Sequence, residues 1–132
     1  MALTSDRDTP RRDGTQFVFP VKAATTIYAG AIVCLQAGLA VPGQTAIGLK
    51  CVGRAEHQVV NAGADGSVTC EVWRGCFRFN NSAAADALTL ADVGSNCYLV
   101  DDFTVAKTDG TTTRSVCGIV RDVDASGVWV EI

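Results

Sequence analysis

The chain has 132 residues, and 11 Lys and Arg against 14 Asp and Glu give it a formal net charge of -3. That length fits one domain whose core needs no disulfide or metal for stability. A hydrophobic content of 48% with 19% charged residues excludes a disordered polyelectrolyte and favours an oligomer. The pI of about 4.9 argues against a nucleic-acid partner, because nucleic-acid binders present a basic face.

The first residues and the hydropathy of the chain bear on where the protein is made. Charged residues follow the start at once, without the apolar segment of a secretory signal, so we expect synthesis in the cytoplasm. The longest apolar candidate for a membrane span, residues 23–46, is broken by glycines and a proline, so we expect no membrane insertion.

Cytosolic thiols stay reduced, and cysteines in apolar runs behave as small hydrophobes. We therefore predict six buried free thiols at Cys34, Cys51, Cys70, Cys76, Cys97 and Cys117.

The chain divides into an N-terminal arm and a body. Residues 1–16 are polar and without apolar periodicity, which predicts a flexible, extended arm. From residue 17 to residue 132, short runs rich in Val, Ile, Thr and aromatic residues alternate with turn-forming residues. This rhythm predicts a single β domain over 17–132, and the fold class is all-β, a small barrel or sandwich of antiparallel strands.

The predicted elements follow in chain order. Strands are expected at residues 17–22, 31–35, 39–41, 49–54, 57–60, 67–79, 97–100, 104–106, 115–123 and 128–132. The run 67–79 is the longest, with a bulge or bend predicted at Gly75, and residues 36–38 predict a three-residue hairpin connection. Residues 82–92 are rich in Ala and Leu, which predicts at most one short helix, near 84–91.

Residues able to carry catalysis or bind a metal are few. His57 is the one histidine, and although a Cys-His pair is conceivable, its polar neighbours favour an exposed strand position. Residues 122–127 imitate the start of a calcium loop, but the glutamate required at position twelve is missing, so a hairpin turn explains them better. The cysteines lack the close pairs that zinc selects. We therefore predict no enzyme activity, no metal and no cofactor.

Several turn-and-strand segments resemble a known family. They are residues 29–33 (AGAIV), 59–66 (VVNAGADG), 72–80 (VWRGCFRFN), 91–102 (ADVGSNCYLVDD), 117–124 (CGIVRDVD) and 127–130 (GVWV). In this order the chain from about residue 25 to residue 132 is similar to the small capsid cement, or head decoration, proteins of tailed bacteriophages. The resemblance implies an all-β protein that binds the outside of an expanded phage head and clamps neighbouring capsid subunits.

The resemblance also sets the expected partner and location. It implies the major capsid protein as partner, the virion surface as location after synthesis in the bacterial host cytoplasm, and a homo-oligomer, most simply a trimer, at symmetry axes. The family supplies no functional residues by position, so the docking candidates come from the arm and its base: Arg7, Arg11, Arg12, Phe17 and Phe19. The alternative is a tail or fibre adhesion module that binds carbohydrate through Trp73 and Trp129.

Overall fold

The computed structural model describes all 132 residues, and its regular structure is almost entirely β. The strands are β1 Gln16–Pro20, β2 Thr25–Ile27, β3 Ile32–Gln36, β4 Leu39–Pro42, β5 Lys50–Ala55, β6 Val59–Asn61, β7 Thr69–Trp73, β8 Cys76–Phe79, β9 Asn96–Leu99, β10 Val105–Ala106, β11 Val116–Asp124 and β12 Gly127–Glu131. None of its helical segments has the length and apolar character needed to cross a membrane.

The strands form two five-stranded antiparallel sheets and a two-stranded ribbon. The first sheet has the order β1-β7-β5-β3-β4, the second has the order β10-β9-β11-β12-β8, and β2 pairs with β6 in the ribbon. The predicted fold class, an all-β sandwich of antiparallel strands, is confirmed. β2 was not predicted, because three residues are too few to establish an alternating pattern.

The first sheet is buried on both faces at β3, which explains why this strand is its most apolar one. In β3, Ile32 and Cys34 belong to the core shared with the second sheet, whereas Val33 belongs to a smaller core shared with the ribbon. Successive side chains of a strand point to opposite faces, so a strand between two cores is apolar at every position. The continuous run in β3 therefore marks the middle layer of the molecule.

Two of the predicted connections differ from the observed ones. The connection predicted over residues 36–38 is a two-residue turn, because Gln36 pairs with Leu39 and both Ala37 and Gly38 have positive φ, 51° and 82°. The run 67–79, predicted as one strand, is two strands in different sheets. Gly75 lies between them with φ at 156°, a conformation open mainly to glycine, and there the chain crosses from the first sheet to the second.

No α-helix forms near 84–91, which agrees with the prediction of at most one short helix, and the segment contains two short 3-10 turns, Ala84–Asp86 and Leu90–Asp92. The Asn81 side chain donates to the Leu88 carbonyl at 2.8 Å and accepts from the Leu88 N–H at 2.8 Å. These bonds use backbone groups that an α-helix would need, and they hold Leu88 in the core at 2% exposure. Tertiary bonds thus override the helix propensity of the Ala-rich segment.

The exposure of the arm agrees with the prediction, whereas the burial of the cysteines agrees only in part. Residues 1–16 are exposed throughout, and the first strand begins at Gln16, within one residue of the predicted boundary. All six cysteines carry free thiols in the structure. The prediction that all are buried is wrong for Cys76, which is exposed, and for Cys51, which is half-buried. Cys76 opens β8, an edge strand of the second sheet, where fewer neighbours cover it.

Candidate functional site

Strand β1 is the free edge at which the arm joins the first sheet. It pairs with β7 alone, with Phe17 opposite Val72 and Phe19 opposite Cys70. Within Gln16–Pro20 no second strand pairs with its other side, whereas directly after β1 Val21 bridges Ala40 of β4. An unpaired strand edge is a natural place for a second chain to add. Val18 is 58% exposed on this edge. The base of the arm therefore offers both unpaired backbone and apolar surface.

The structure brings three of the five predicted docking residues together. The rings of Phe17 and Phe19 stack with their centroids 6.3 Å apart, and the guanidinium of Arg12 lies 5.8 Å from the centre of the Phe17 ring. A cation over an aromatic face is weakly attractive at an exposed position, so this contact holds Arg12 beside the first residues of β1. Arg7 and Arg11 are exposed in the arm and lie over no aromatic ring.

A groove of about 260 Å³ opens beside the stacked rings. Its lining is mostly apolar and comes from β1, β5, the loop after β7 and the C-terminal residue: Phe17, Phe19, Cys51, Val52, Arg74 and Ile132. The Arg74 N–H donates to the Thr15 carbonyl at 2.7 Å, which fixes the end of the arm at the rim of the groove. An apolar floor with a cationic rim suits a partner segment that combines an apolar anchor with a carboxylate.

The arginines of the arm are not engaged by carboxylates of the chain. The five ion pairs of the structure involve other cations, among them Arg54 with Glu56 at 2.8 Å and Arg121 with Glu131 at 2.6 Å. The guanidinium groups of Arg7, Arg11 and Arg12 are thus free to form bidentate bonds with acidic groups of a partner.

The conceivable Cys-His pair does not form. His57 is exposed at a bend next to β5, and its Nε2 lies 3.7 Å from a carboxylate oxygen of Glu71. The one thiol whose pKa is lowered is Cys51, because the thiols of Cys117 and Cys34 donate to its thiolate. Histidine has no part in that shift.

The core of the sandwich contains a chain of thiols that the sequence did not indicate. Cys34 on β3 lies opposite Cys51 on β5, and the Cys51 Sγ is 3.9 Å from the Cys117 Sγ on β11 of the other sheet. Hydrogen bonding to Cys51, then to Cys97, raises the pKa of Cys117 well above that of an ordinary thiol. No three cysteine, histidine or carboxylate side chains are grouped so as to hold a metal ion. The arrangement is suited to thiol chemistry between neighbouring sulfurs.

The two tryptophans of the alternative hypothesis lie in different sheets. Trp73 ends β7 of the first sheet and is 36% exposed, whereas Trp129 lies in β12 of the second. The Trp129 indole N–H donates to Asp124 at 3.0 Å, and the Arg78 guanidinium lies 5.9 Å from the ring centre. The two rings make no mutual contact, so they do not form one stacking platform.

Residues 122–127, the segment that imitates a calcium loop, form the hairpin turn between β11 and β12. Asp124 pairs with Gly127 across a two-residue turn, and its Oδ1 accepts from the N–H groups of Ser126 and Gly127 at 2.7 Å and 3.1 Å. The indole N–H of Trp129, followed by these backbone donors, lowers the pKa of Asp124. The carboxylate is thus occupied in stabilising the turn.

Comparison with known proteins identifies no relative of this chain. Neither a protein-family model, nor a curated protein, nor a solved structure matches the chain. The candidate functions therefore depend on the geometry of the arm, the edge strand, the groove and the thiols.

Proposed function

We propose that this chain is a phage structural protein that binds the outer surface of the capsid, contacts the major capsid protein and stabilises the head. The observation that carries the proposal is the 16-residue exposed arm, which leads into a free edge strand beside an apolar groove. These three features lie together at one side of the molecule and are all available to a partner. The resemblance of the sequence to capsid cement proteins supports the same role.

The arm has the reach and the chemistry to clamp a neighbouring subunit. Sixteen residues in extended conformation span roughly 50 Å, enough to cross a boundary between subunits. Its three arginines, Arg7, Arg11 and Arg12, can each form a bidentate bond with a carboxylate. Ordering an exposed arm costs conformational entropy, and these charge-assisted bonds, with Phe17 as an anchor, offset that cost.

An oligomer strengthens attachment without any further contact. When several copies are joined, binding of the first arm raises the local concentration of the others, so weak individual contacts give durable attachment. A trimer matches the three-fold axes of a capsid and leaves each arm in an equivalent position. The proposal is therefore of a non-catalytic homotrimer whose work is done by its surfaces.

The test uses undecorated expanded heads of the phage that encodes the chain. Full-length protein is compared with a form lacking residues 1–14, and the readouts are copies bound per head and survival of the heads on heating. An arm carrying Arg→Gln at positions 7, 11 and 12 removes the cations. The matched control carries Asp→Asn at positions 6, 8 and 13, which leaves the length of the arm unchanged and removes the opposite charge.

The expected result is tight binding by the full-length protein and the control, and weakened binding by the truncated and arginine-free forms. Full-length protein that neither binds nor protects the heads overturns the proposed function. Equal performance by all four forms removes only the role of the arm. If the protein does not bind the heads but binds a glycan through Trp73 or Trp129, the alternative hypothesis of a carbohydrate-binding adhesion module is supported instead.

A further inference from the structure

Cys51 lies where the chain of thiols in the core meets the groove. It lines the groove together with Phe17 and Arg74, and its Sγ is 3.9 Å from the Sγ of Cys117. Cys117 is only 3% exposed. One thiol of the pair is therefore open to small reagents in solution, while the other is shielded behind it.

We propose that Cys51 and Cys117 form a site for thiol–disulfide exchange, in which Cys51 reacts with a small soluble disulfide and Cys117 converts the adduct into a disulfide between the two sheets. In the first step the Cys51 thiolate bonds to one sulfur of the reagent, the reagent's S–S bond breaks, and the other half leaves and takes up a proton. In the second step Cys117 loses its proton and bonds to the Cys51 sulfur, which expels the remaining half as a thiol. Two protein thiols are oxidised, and one external disulfide is reduced to two thiols.

The geometry favours Cys117 over Cys34 as the second cysteine. Cys51 and Cys117 approach each other from facing sheets, whereas Cys34 and Cys51 are directly opposite on adjacent strands of one sheet, with side chains leaving it side by side. A disulfide needs Cβ vectors that converge and an S–S distance of about 2.05 Å. The two sulfurs are 3.9 Å apart and β5 and β11 are already in contact, so the proposed bond joins neighbouring atoms of facing strands.

The hydrogen bonds among the thiols also favour Cys51 as the cysteine that attacks first and Cys117 as the cysteine that reacts second. The Cys117 and Cys34 thiols lower the pKa of Cys51, although burial opposes the shift, and the same bond raises the pKa of Cys117. The thiolate is the reactive form of cysteine, so the first attack falls to Cys51. Once Cys51 is part of a mixed disulfide, it no longer holds the Cys117 proton, and Cys117 can ionise and attack. The inference does not depend on the proposed capsid role.

The test uses the full chain with Cys76→Ser, which removes the one fully exposed thiol and leaves five. The protein is incubated with hydroxyethyl disulfide, and the thiols are then counted in denaturant and the linked peptides mapped by mass spectrometry. We expect two thiols to be lost, a Cys51–Cys117 peptide, no residual adduct, and a thermal midpoint several degrees above that of the reduced protein. Retention of all five thiols, or a Cys34–Cys51 peptide, overturns the proposal.

A second pair of variants separates the two steps. With Cys117→Ala added, the reaction should stop at one adduct on Cys51, a mass gain of about 76 Da for the hydroxyethylthio group. With Cys97→Ala added instead, two thiols should still be lost, because Cys97 is also buried in the core but is not the resolving residue. Loss of two thiols without Cys117 contradicts the assignment. Should Cys117→Ala fail to fold, the peptide map of the Cys76→Ser protein decides the question alone.

Discussion

Asn61 is the polar residue on which we expect the fold to depend most strongly. It is 1% exposed at the end of β6. Its Nδ2 lies 2.9 Å from the Val21 carbonyl, 3.2 Å from the Lys22 carbonyl and 3.0 Å from the Ala64 carbonyl. Its Oδ1 accepts from the N–H of Gly63 at 2.9 Å. The side chain thus joins the ribbon to the segment after β1 and to the loop after β6.

The free energy of unfolding that Asn61→Ala should lose can be derived from these hydrogen bonds. The amide has two N–H groups for three carbonyls, so it makes about two full donated bonds and one accepted bond. Each is worth about 0.5–1.5 kcal/mol net, and truncation also leaves donors and acceptors without partners, so Asn61→Ala should cost about 2–4 kcal/mol. With an unfolding entropy of about 2.1 cal/mol/K per residue over 132 residues, the thermal midpoint falls by roughly 7–14 °C.

Thermal and urea unfolding followed by circular dichroism measure this loss. The matched control is Asn96→Ala, because Asn96 is exposed on β9 in the second five-stranded sheet, away from the ribbon. We expect the control to change stability by less than about 0.5 kcal/mol. If Asn61→Ala unfolds at the same temperature as the control, the buried bonds of Asn61 contribute nothing net and the reasoning is refuted.

Three further predictions concern the core, acid stability and assembly. Phe79→Ala removes a ring that is 2% exposed and should cost about 3–5 kcal/mol in urea unfolding, against a much smaller loss for the 47% exposed Phe103; equal losses would contradict the packing. The indole N–H of Trp129 lowers the pKa of Asp124, so the ionised Asp124 carboxylate stabilises the folded protein, and this stability is lost as the pH falls through the lowered pKa. Asp124→Asn cannot ionise, so between about pH 5 and about pH 2 it should lose less stability than the parent protein. Sedimentation equilibrium at tens of micromolar should give a trimer, and a 13.8 kDa monomer would contradict it.

The strands were predictable because each leaves a local mark in the sequence. Alternation and turn residues located eleven of the twelve observed strands, with the two strands at Gly75 predicted as one. The sheet to which each strand belongs depends on residues far away in the sequence, so the local pattern does not reveal it. Nothing in the run 67–79 distinguishes a bend within one strand from a crossing between sheets, because glycine permits both.

The candidate site was predictable only in part, for the same reason. The polar arm and the alternating Phe17 and Phe19 suggested the candidate docking residues in the sequence, and their role stays a prediction. The groove between Phe19 and Ile132 joins opposite ends of the chain, and no local pattern reports it. Likewise each cysteine was interpreted from its own apolar neighbours, whereas the pairing of Cys51 with Cys117 depends on strands 66 residues apart.

The layered fold explains why binding should be confined to the edge of the molecule. The middle of the first sheet, around β3, is covered on one face by the second sheet and on the other by the smaller core with the ribbon, so β3 has no face left for a partner. What remains is the unpaired side of β1, the groove beside it and the arm that precedes it. Before β1 begins, the arm meets the body through the Thr15 carbonyl and through Arg12 on Phe17, and neither contact is part of a core. Residues 1–14 are exposed and belong to neither core, so we expect the protein to fold without them. A truncated protein that keeps its unfolding temperature but fails to bind heads then reports the loss of docking rather than the loss of structure.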